Sequence, residues 1–395
     1  MPEASRPDDE SRHTPRRASS LRPSHARHLA PHRPALRAER LTVTSGPPIP
    51  HSRPTLGDED RAAVAAVVAS GQIAQGPRVA EFERAMAARL ETRGGVAVSS
   101  GTAALHLALV VLGVGPGDEV LVPSYACAAL LQAVRAAGAL PRPVDVDPAT
   151  FNLDPDAATR ACSARTRALI AVHAFGLPAD LDALRALGVP VVEDAAQALG
   201  ARYGGRAVGG LGEVGVLSFY ATKLMTTGEG GMLVSADARL LAAARDLRQY
   251  DQKPDDRPRF NYKLTDLAAA LGLAQLARLD GFLARRQAIA ARYREALGGC
   301  PLERPLTPPG RVHVYHRYVV KGRAPAARYL EHLEARGVQA RRPVFQPLHR
   351  YLGLAPEAFP GTEEAWARAV SLPIYPSLDS GEVERVVAAA AEAAG

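Results

Sequence analysis

Val189-Pro-Val-Val-Glu-Asp-Ala-Ala-Gln-Ala-Leu-Gly200 is an apolar strand that delivers two carboxylates, Glu193 and Asp194, at its carboxyl end, then turns through small residues. The same rhythm recurs on both sides of it. Upstream, apolar runs at Val96–Val98, Glu119–Val122, Leu140–Val146 and Ala168–His173 alternate with helical segments. Downstream, Val214–Phe219 and Gly231–Val234 complete the series. Short strands separated by helices of about ten residues predict a mostly parallel sheet with helices on both faces. Ligands of such sheets bind outside the carboxyl ends of the strands. The chemistry is therefore expected where these strands stop.

The flanks read differently. Helices are expected at Asp58–Ser70, ending at Gly71, and at Val79–Leu90. From Asp266 to about Leu297 the pattern is helical without a break, too long for one crossover and better suited to a bridge between domains. Beyond it lies a smaller unit, with a strand at Val312–Val320, a helix near Pro325–Arg336, another near Glu363–Val370 and an Ala-rich closing helix. The domain reading is therefore 1–50 as a basic tail, 51–280 as the large domain and 281–395 as the small one. Rich in Arg, Pro, Ser and His with no apolar period, the tail is expected to be disordered.

Composition excludes several classes. The chain's net charge is +7, yet residues 1–45 hold nine arginines against five acids, leaving too little for a surface that tracks nucleic acid. No run of 18 apolar residues encodes a membrane span, and Cys127, Cys162 and Cys300 are too scattered for a disulfide framework. Without a basic-then-apolar leader, a cytoplasmic location is expected. Gly210-Leu-Gly-Glu-Val-Gly215 fits a dinucleotide fingerprint but precedes a strand instead of joining a strand to a helix, and so fails its context test. His313 and His316 have no third metal ligand nearby in sequence.

Only four of the 48 basic side chains are lysines: Lys223, Lys253, Lys263 and Lys321. Arginine stays protonated and cannot be the nucleophilic amine of an imine. Lys223 lies in a polar, Gly-rich turn just past the strand ending at Phe219, where desolvation can lower an amine's pKa. Taken alone, the segment also fits an exposed surface lysine. Asp194, if buried, needs a cationic partner such as a protonated pyridine nitrogen, or else caps the helix that follows. Glu193 is read as a cap or a surface residue. Ser99-Ser-Gly-Thr-Ala-Ala-Leu-His-Leu107 offers free N–H groups at a helix start, either for a phosphate or for an ordinary Ser/Thr cap. Ser218 could add a hydroxyl to the same phosphate.

Together these segments resemble the DegT/DnrJ/EryC1/StrS family of sugar aminotransferases, which depend on pyridoxal 5'-phosphate (PLP). The matching stretches are Ser-Gly-Thr-Ala-Ala-Leu (100–105), Gly-Asp-Glu-Val-Leu-Val-Pro-Ser-Tyr (117–125), Glu-Asp-Ala-Ala-Gln (193–197), Ser-Phe-Tyr-Ala-Thr-Lys (218–223), Thr-Gly-Glu-Gly-Gly (227–231), Asn-Tyr-Lys-Leu-Thr-Asp (261–266) and Ser-Leu-Pro-Ile-Tyr-Pro (371–376). The resemblance implies fold type I: an α/β fold with a mostly parallel, mixed seven-stranded sheet between helices and a smaller C-terminal α+β domain. It implies that Lys223 binds PLP covalently and shuttles the proton, that Asp194 pairs with the pyridine nitrogen and that Gln197 bonds the ring's phenolic oxygen. Gly101, Thr102 and Ser218 would hold the phosphate, and Asn261 would reach the phosphate of the neighbouring subunit in a homodimer. His313, Tyr315 and His349 fall in segments that lie near the sugar in the family. Cys127 stands where the family usually stacks an aromatic residue on the ring, and Leu224 where many relatives have Asn. Members that became dehydratases or deoxygenases carry His in place of the lysine, so Lys223 favours transamination.

The expected reaction moves an amino group from glutamate or glutamine to a keto group of a nucleotide-activated sugar. A keto-cyclitol acceptor, a non-catalytic PLP-binding protein and a nicotinamide-dependent oxidoreductase are the alternatives. Neither nucleic acid nor membrane is an expected partner.

Overall fold

The structure is a computed structural model that describes residues 46–394. Seven strands form the main sheet: β1 (Gly94–Val98), β2 (Glu119–Pro123), β3 (Leu140–Val144), β4 (Thr166–Val172), β5 (Val191–Asp194), β6 (Val214–Ser218) and β7 (Gly231–Ser235). Their order is β1-β7-β6-β5-β4-β2-β3, with β7 antiparallel to both neighbours and the others parallel. This is the mixed, mostly parallel sheet of fold type I.

Strand geometry explains why the sequence reads as unbroken apolar runs. Successive side chains point to opposite faces, and here both faces are buried. Leu121 and Leu217 join Phe82 and Met232 in the core on one face. Their sequence neighbours Val120, Val122 and Val216 join Ile170 and Leu233 in the core on the other. Because β1, β2, β4, β5 and β6 run parallel, the turns after Val98, Pro123, Val172, Asp194 and Ser218 emerge along one edge of the sheet.

Helix α1 (Gly101–Val111) opens from the first of those turns, and α2 (Asp266–Ala296) carries the chain from the sheet to a smaller lobe. Leu279 of α2 packs in the sheet's core, whereas Ile289 and Tyr293 pack in the small-lobe core with Tyr318 and Tyr375. Among the described residues α2 is the one helix long and apolar enough, by length and composition, to cross a membrane. Here it lies between two cores and carries a buried Arg286 that donates to the carbonyls of Tyr315, His316 and Ile374. The lobe's antiparallel pair is β8 (Tyr318–Lys321) and β9 (Ala369–Leu372), with helices at Ala326–Ala335, Pro360–Arg368 and Ser380–Ala394.

Two local expectations are corrected. The strand expected over Val312–Val320 is two strands in different sheets. Arg311–Val312 pairs with Arg202–Tyr203, and β8 starts only at Tyr318, because Tyr315 takes a left-handed φ of 50° and turns the chain between them. The tail expected over 1–50 lies outside the described residues except for Gly46–Pro50, and there Ile49 is fully buried. Its N–H donates to the carbonyl of Gly337 (2.8 Å) and its carbonyl accepts from Gln339 N–H (2.9 Å), so this segment belongs to the small-lobe core.

Glu193 is neither a cap nor a surface residue. It is fully buried, and its carboxylate accepts from the N–H groups of Gly209 (2.7 Å), Leu211 and Gly212. His173 accepts from Ala179 N–H at Nδ1 and therefore donates to Glu193 from Nε2 (3.1 Å). The glycine-rich run 210–215 thus wraps a protein carboxylate, and a Cβ on Gly215 would lie 1.8 Å from the carbonyl oxygen of Gly209. Burial acts to raise the Glu193 pKa, but the His173 contact and the backbone donors outweigh it and hold the group below the ordinary carboxylate value. Its stabilising contribution is complete above about pH 4.5 and is lost as pH falls through the lower folded value. Glu193→Ala, which strands several buried donors, should lower unfolding free energy by about 3–5 kcal/mol. Urea denaturation at pH 7 tests this, and a variant as stable as the parent contradicts the assignment.

Candidate active site

Lys223 extends from the turn that follows β6. Its backbone N–H donates to the carbonyl of Tyr220 (2.9 Å), and Tyr220 bridges to Gly228, so the glycine-rich stretch closes the turn on itself. Burial drives the Lys223 amine below its ordinary value of 10.5; Asp194 opposes this and Arg317 adds to it. The other three lysines are all ion-paired: Lys253 with Asp246 (2.8 Å), Lys263 with Asp251 (3.3 Å), and Lys321 with Glu303 and Glu364 (2.8 and 2.9 Å). Among the described residues no carboxylate forms an ion pair with Lys223. The four candidates are thereby reduced to one free amine.

Asp194 ends β5, the strand beside β6, and is 9% exposed. Its Oδ1 accepts from Ala196 N–H (3.0 Å). Burial raises its pKa, while that N–H, Lys223 and His173 pull the other way. Amine and carboxylate feel each other's charge without touching.

The turn after β1 packs against the end of β6. A Cβ on Gly101 would lie 2.9 Å from the Cβ of Ser218, and one on Gly231 would lie 2.3 Å from the carbonyl oxygen of Ser100. Ser100 caps α1 by accepting from Ala103 N–H (3.1 Å). The N–H groups of Gly101 and Thr102 stay outside the helix ladder, beside the Ser218 hydroxyl. Anions bind at such a helix start. Asn261 is exposed, one residue before Tyr262, whose carbonyl accepts from Ser99 N–H (2.8 Å).

A cavity of about 350 Å³ opens over Lys223 and is walled by Cys127, Phe175, Gln197, Tyr220, His316 and Arg317, with Phe345 and Tyr351 at its side. The Gln197 side-chain oxygen accepts from Phe175 N–H (3.0 Å), which leaves its amide nitrogen to donate elsewhere. Phe175 and Tyr315 both hold left-handed backbone, φ 58° and 50°, a conformation that costs side-chain-bearing residues about 1–3 kcal/mol each. Their segments lock together: Val314 N–H donates to Gly176 (3.1 Å) and Arg317 N–H to Phe175 (3.2 Å). That crossing delivers His316 and Arg317 to the cavity.

The structure does not bring His313, Tyr315 or His349 to this cavity. His313 stacks on Tyr315 at 4.1 Å and its Nδ1 accepts from Tyr315 N–H, while the Tyr315 hydroxyl accepts from Arg294. His349 is fully buried, bonded to Ser124 (2.7 Å) and stacked on Phe359. The residues that do arrive are His316 and Arg317, the next two after Tyr315. No sequence signal marks them, because the left-handed turn that aims them is a tertiary effect.

Residues 54–391 match the DegT/DnrJ/EryC1/StrS aminotransferase family. GDP-perosamine synthase of Caulobacter vibrioides is 36% identical, over 79% of this chain and 88% of that protein. The dTDP-3-amino-3,4,6-trideoxy-alpha-D-glucose transaminase of Streptomyces venezuelae is 41% identical, over 85% and 92%. S. venezuelae DesV, solved in complex with a ketimine intermediate, superposes with a TM-score of 0.81 at 41% identity, covering 85% of this chain and 94% of that one.

A limiting amount of trinitrobenzenesulfonate at pH 8 should label Lys223 of the cofactor-free protein ahead of Lys253, Lys263 and Lys321. Peptide mapping reads the result, and equal labelling of all four lysines contradicts a free, depressed amine.

Proposed function

This chain belongs to the DegT/DnrJ/EryC1/StrS family of PLP-dependent aminotransferases, and from that premise we propose that it holds PLP on Lys223 and moves an amino group from glutamate or glutamine to a keto group of a nucleotide-activated sugar. The observation that carries this reading is the pair of half-buried Lys223 and buried Asp194, coupled in charge yet forming no ion pair. A site built only for stability would let them meet. The relatives named for GDP- and dTDP-linked sugars support the choice of acceptor.

The residues present fit the cofactor. The cradle of Gly101, Thr102 and Ser218 leaves no room for a side chain on Gly101 and suits a phosphate. Gln197 has a free amide donor for the phenolic oxygen, and Asp194 is a buried carboxylate awaiting a cation. Cys127, on the cavity wall, would offer the ring less area than an aromatic residue. PLP supplies a carbon that exchanges amino groups and a ring that takes up an electron pair when a proton leaves.

The chain's own residues do the rest. Asp194 would hold the ring nitrogen in its positively charged form, since a buried carboxylate gains most from an adjacent cation. Lys223, driven toward its neutral form by burial, would accept and return a proton at Nζ. Overall, the donor leaves as a 2-oxo acid and the keto sugar becomes an amino sugar.

The reading includes a homodimer in the cytoplasm. It is supported by Asn261, exposed and without a partner side chain among the described residues, and by Phe345, 85% exposed beside the cavity. Asn261 would reach across to the partner's phosphate cradle.

Lys223→Ala should reduce amino transfer from glutamate to a GDP- or dTDP-linked keto sugar by at least about 10²–10⁴-fold, the scale of general acid–base catalysis. Product formation by chromatography measures it. Undiminished transfer in that variant refutes the assignment.

A further inference from the structure

Arg317 is the cation the reaction has not used. It lines the cavity over Lys223 and also an adjoining one of about 250 Å³, formed with His51, Ser52, Tyr220, Thr222, His316 and Ser371. Among the described residues no carboxylate forms an ion pair with it; its side-chain contact is with His51 Nε2 at 3.4 Å. His51 is itself held neutral, its pKa lowered to about 3 by burial, with Arg317 and Arg341 adding to the effect. Ser371 also reaches His51 Nε2 (2.9 Å), and the buried Nδ1 of His316 has no hydrogen-bond partner among the described residues. The groups facing Arg317 are thus Lys223, two histidines, Tyr125 and Cys127, with no acid among them. A half-buried guanidinium that faces a cavity with no carboxylate beside it keeps N–H donors that an entering anion would satisfy.

Resting on the aminotransferase reading, we infer that Arg317 receives the carboxylate of the amino donor, a 2-amino acid, and so selects the donor. The choice between a donor carboxylate and the diphosphate of the sugar nucleotide follows from connectivity. In a 2-amino acid the carboxylate sits on the carbon that bears the reacting nitrogen. Its receptor must therefore share a cavity with Lys223, as Arg317 does. In a nucleotide sugar, ring atoms separate the keto carbon from the phosphates, which places the diphosphate farther out. A planar fork of N–H donors also matches a carboxylate bidentately. The adjoining cavity leaves space for the remainder of the donor.

The test uses the PLP-loaded enzyme without sugar and follows its visible absorbance after adding L-glutamate, L-glutamine or n-propylamine, an amine with no carboxylate. Arg317→Met and Arg317→Gln should each raise the half-saturating concentration of the preferred amino acid about 10- to 100-fold, while the response to propylamine changes less than about twofold, since no charged hydrogen bond is lost there. Arg317→Lys should recover part of the loss. An unchanged amino-acid response in either variant overturns the inference, as expected if Arg317 instead serves the sugar's phosphates. An equal loss toward both kinds of amine also overturns it, because that marks a structural role. A parent enzyme whose absorbance ignores both amino acids counts against the aminotransferase reading itself, which keeps the two failures apart.

Discussion

An amine and a carboxylate that attract one another must be kept from meeting, and much of the architecture serves that constraint. Two unit charges at contact distance near a protein surface attract by about 4 kcal/mol, enough to collapse a flexible site into a salt bridge. Lys223 and Asp194 resist because each leaves a neighbouring parallel strand through a turn fixed by its own backbone bonds. Asp194 Oδ1 is held by Ala196 N–H, and the Asp194 carbonyl accepts from His173 N–H. Just before it, Glu193 ties β5 to the glycine-rich loop over 209–212. A carboxylate that looks redundant in sequence therefore stiffens the strand that aims Asp194.

Close backbone approach does similar work on the anion side. Gly231 on β7 touches the Ser100 carbonyl, and Gly101 touches Ser218, so any side chain there would push the start of α1 away from the strand ends. On the opposite side the small lobe contributes through one crossing, where Phe175 and Tyr315 accept unfavourable backbone so that two hydrogen bonds can join their segments. Gly176 lets them approach: a Cβ at that position would lie 3.0 Å from His316 N. Strain at both ends of a junction between lobes is the pattern expected where position matters more than local comfort.

What the sequence shows depends on the kind of signal each feature leaves. Most of the main sheet is legible because strands buried on both faces are continuous apolar runs, the exposed edge strand β3 being the exception, and all seven lie within a few residues of the expected positions. Lys223 was legible because lysine is scarce in this chain. Glu193 was misread because its partners are backbone N–H groups, which carry no side-chain signature. The run 312–320 was misread because its apolar pattern continues through the point where the chain changes sheets. His313 and Tyr315 come from the family resemblance, whereas His316 and Arg317 line the cavity: side-chain type is written in the sequence, but the turn at Tyr315 that decides which residues face the cavity is not. Arg317 is one of many arginines, and its place in the cavity over Lys223, with no carboxylate partner among the described residues, is what sets it apart.

Burial acts on both cations of the cavity and sorts them by chemistry. Desolvation lowers the affinity of each for its proton. Lysine's ordinary value lies close enough to neutrality that the same environment makes it a usable nucleophile, whereas a guanidinium remains charged in proteins even when depressed. One desolvated space therefore yields a reactive amine from Lys223 and a persistent positive charge from Arg317. The charge of Arg317 also pushes the Lys223 amine further toward its neutral form. An anion bound to Arg317 would screen that push, so the amine should hold its proton more firmly once the donor's carboxylate is in place. Proton uptake by Lys223 is what the departure of a proton from the bound donor requires, and it would be favoured at the moment the donor arrives.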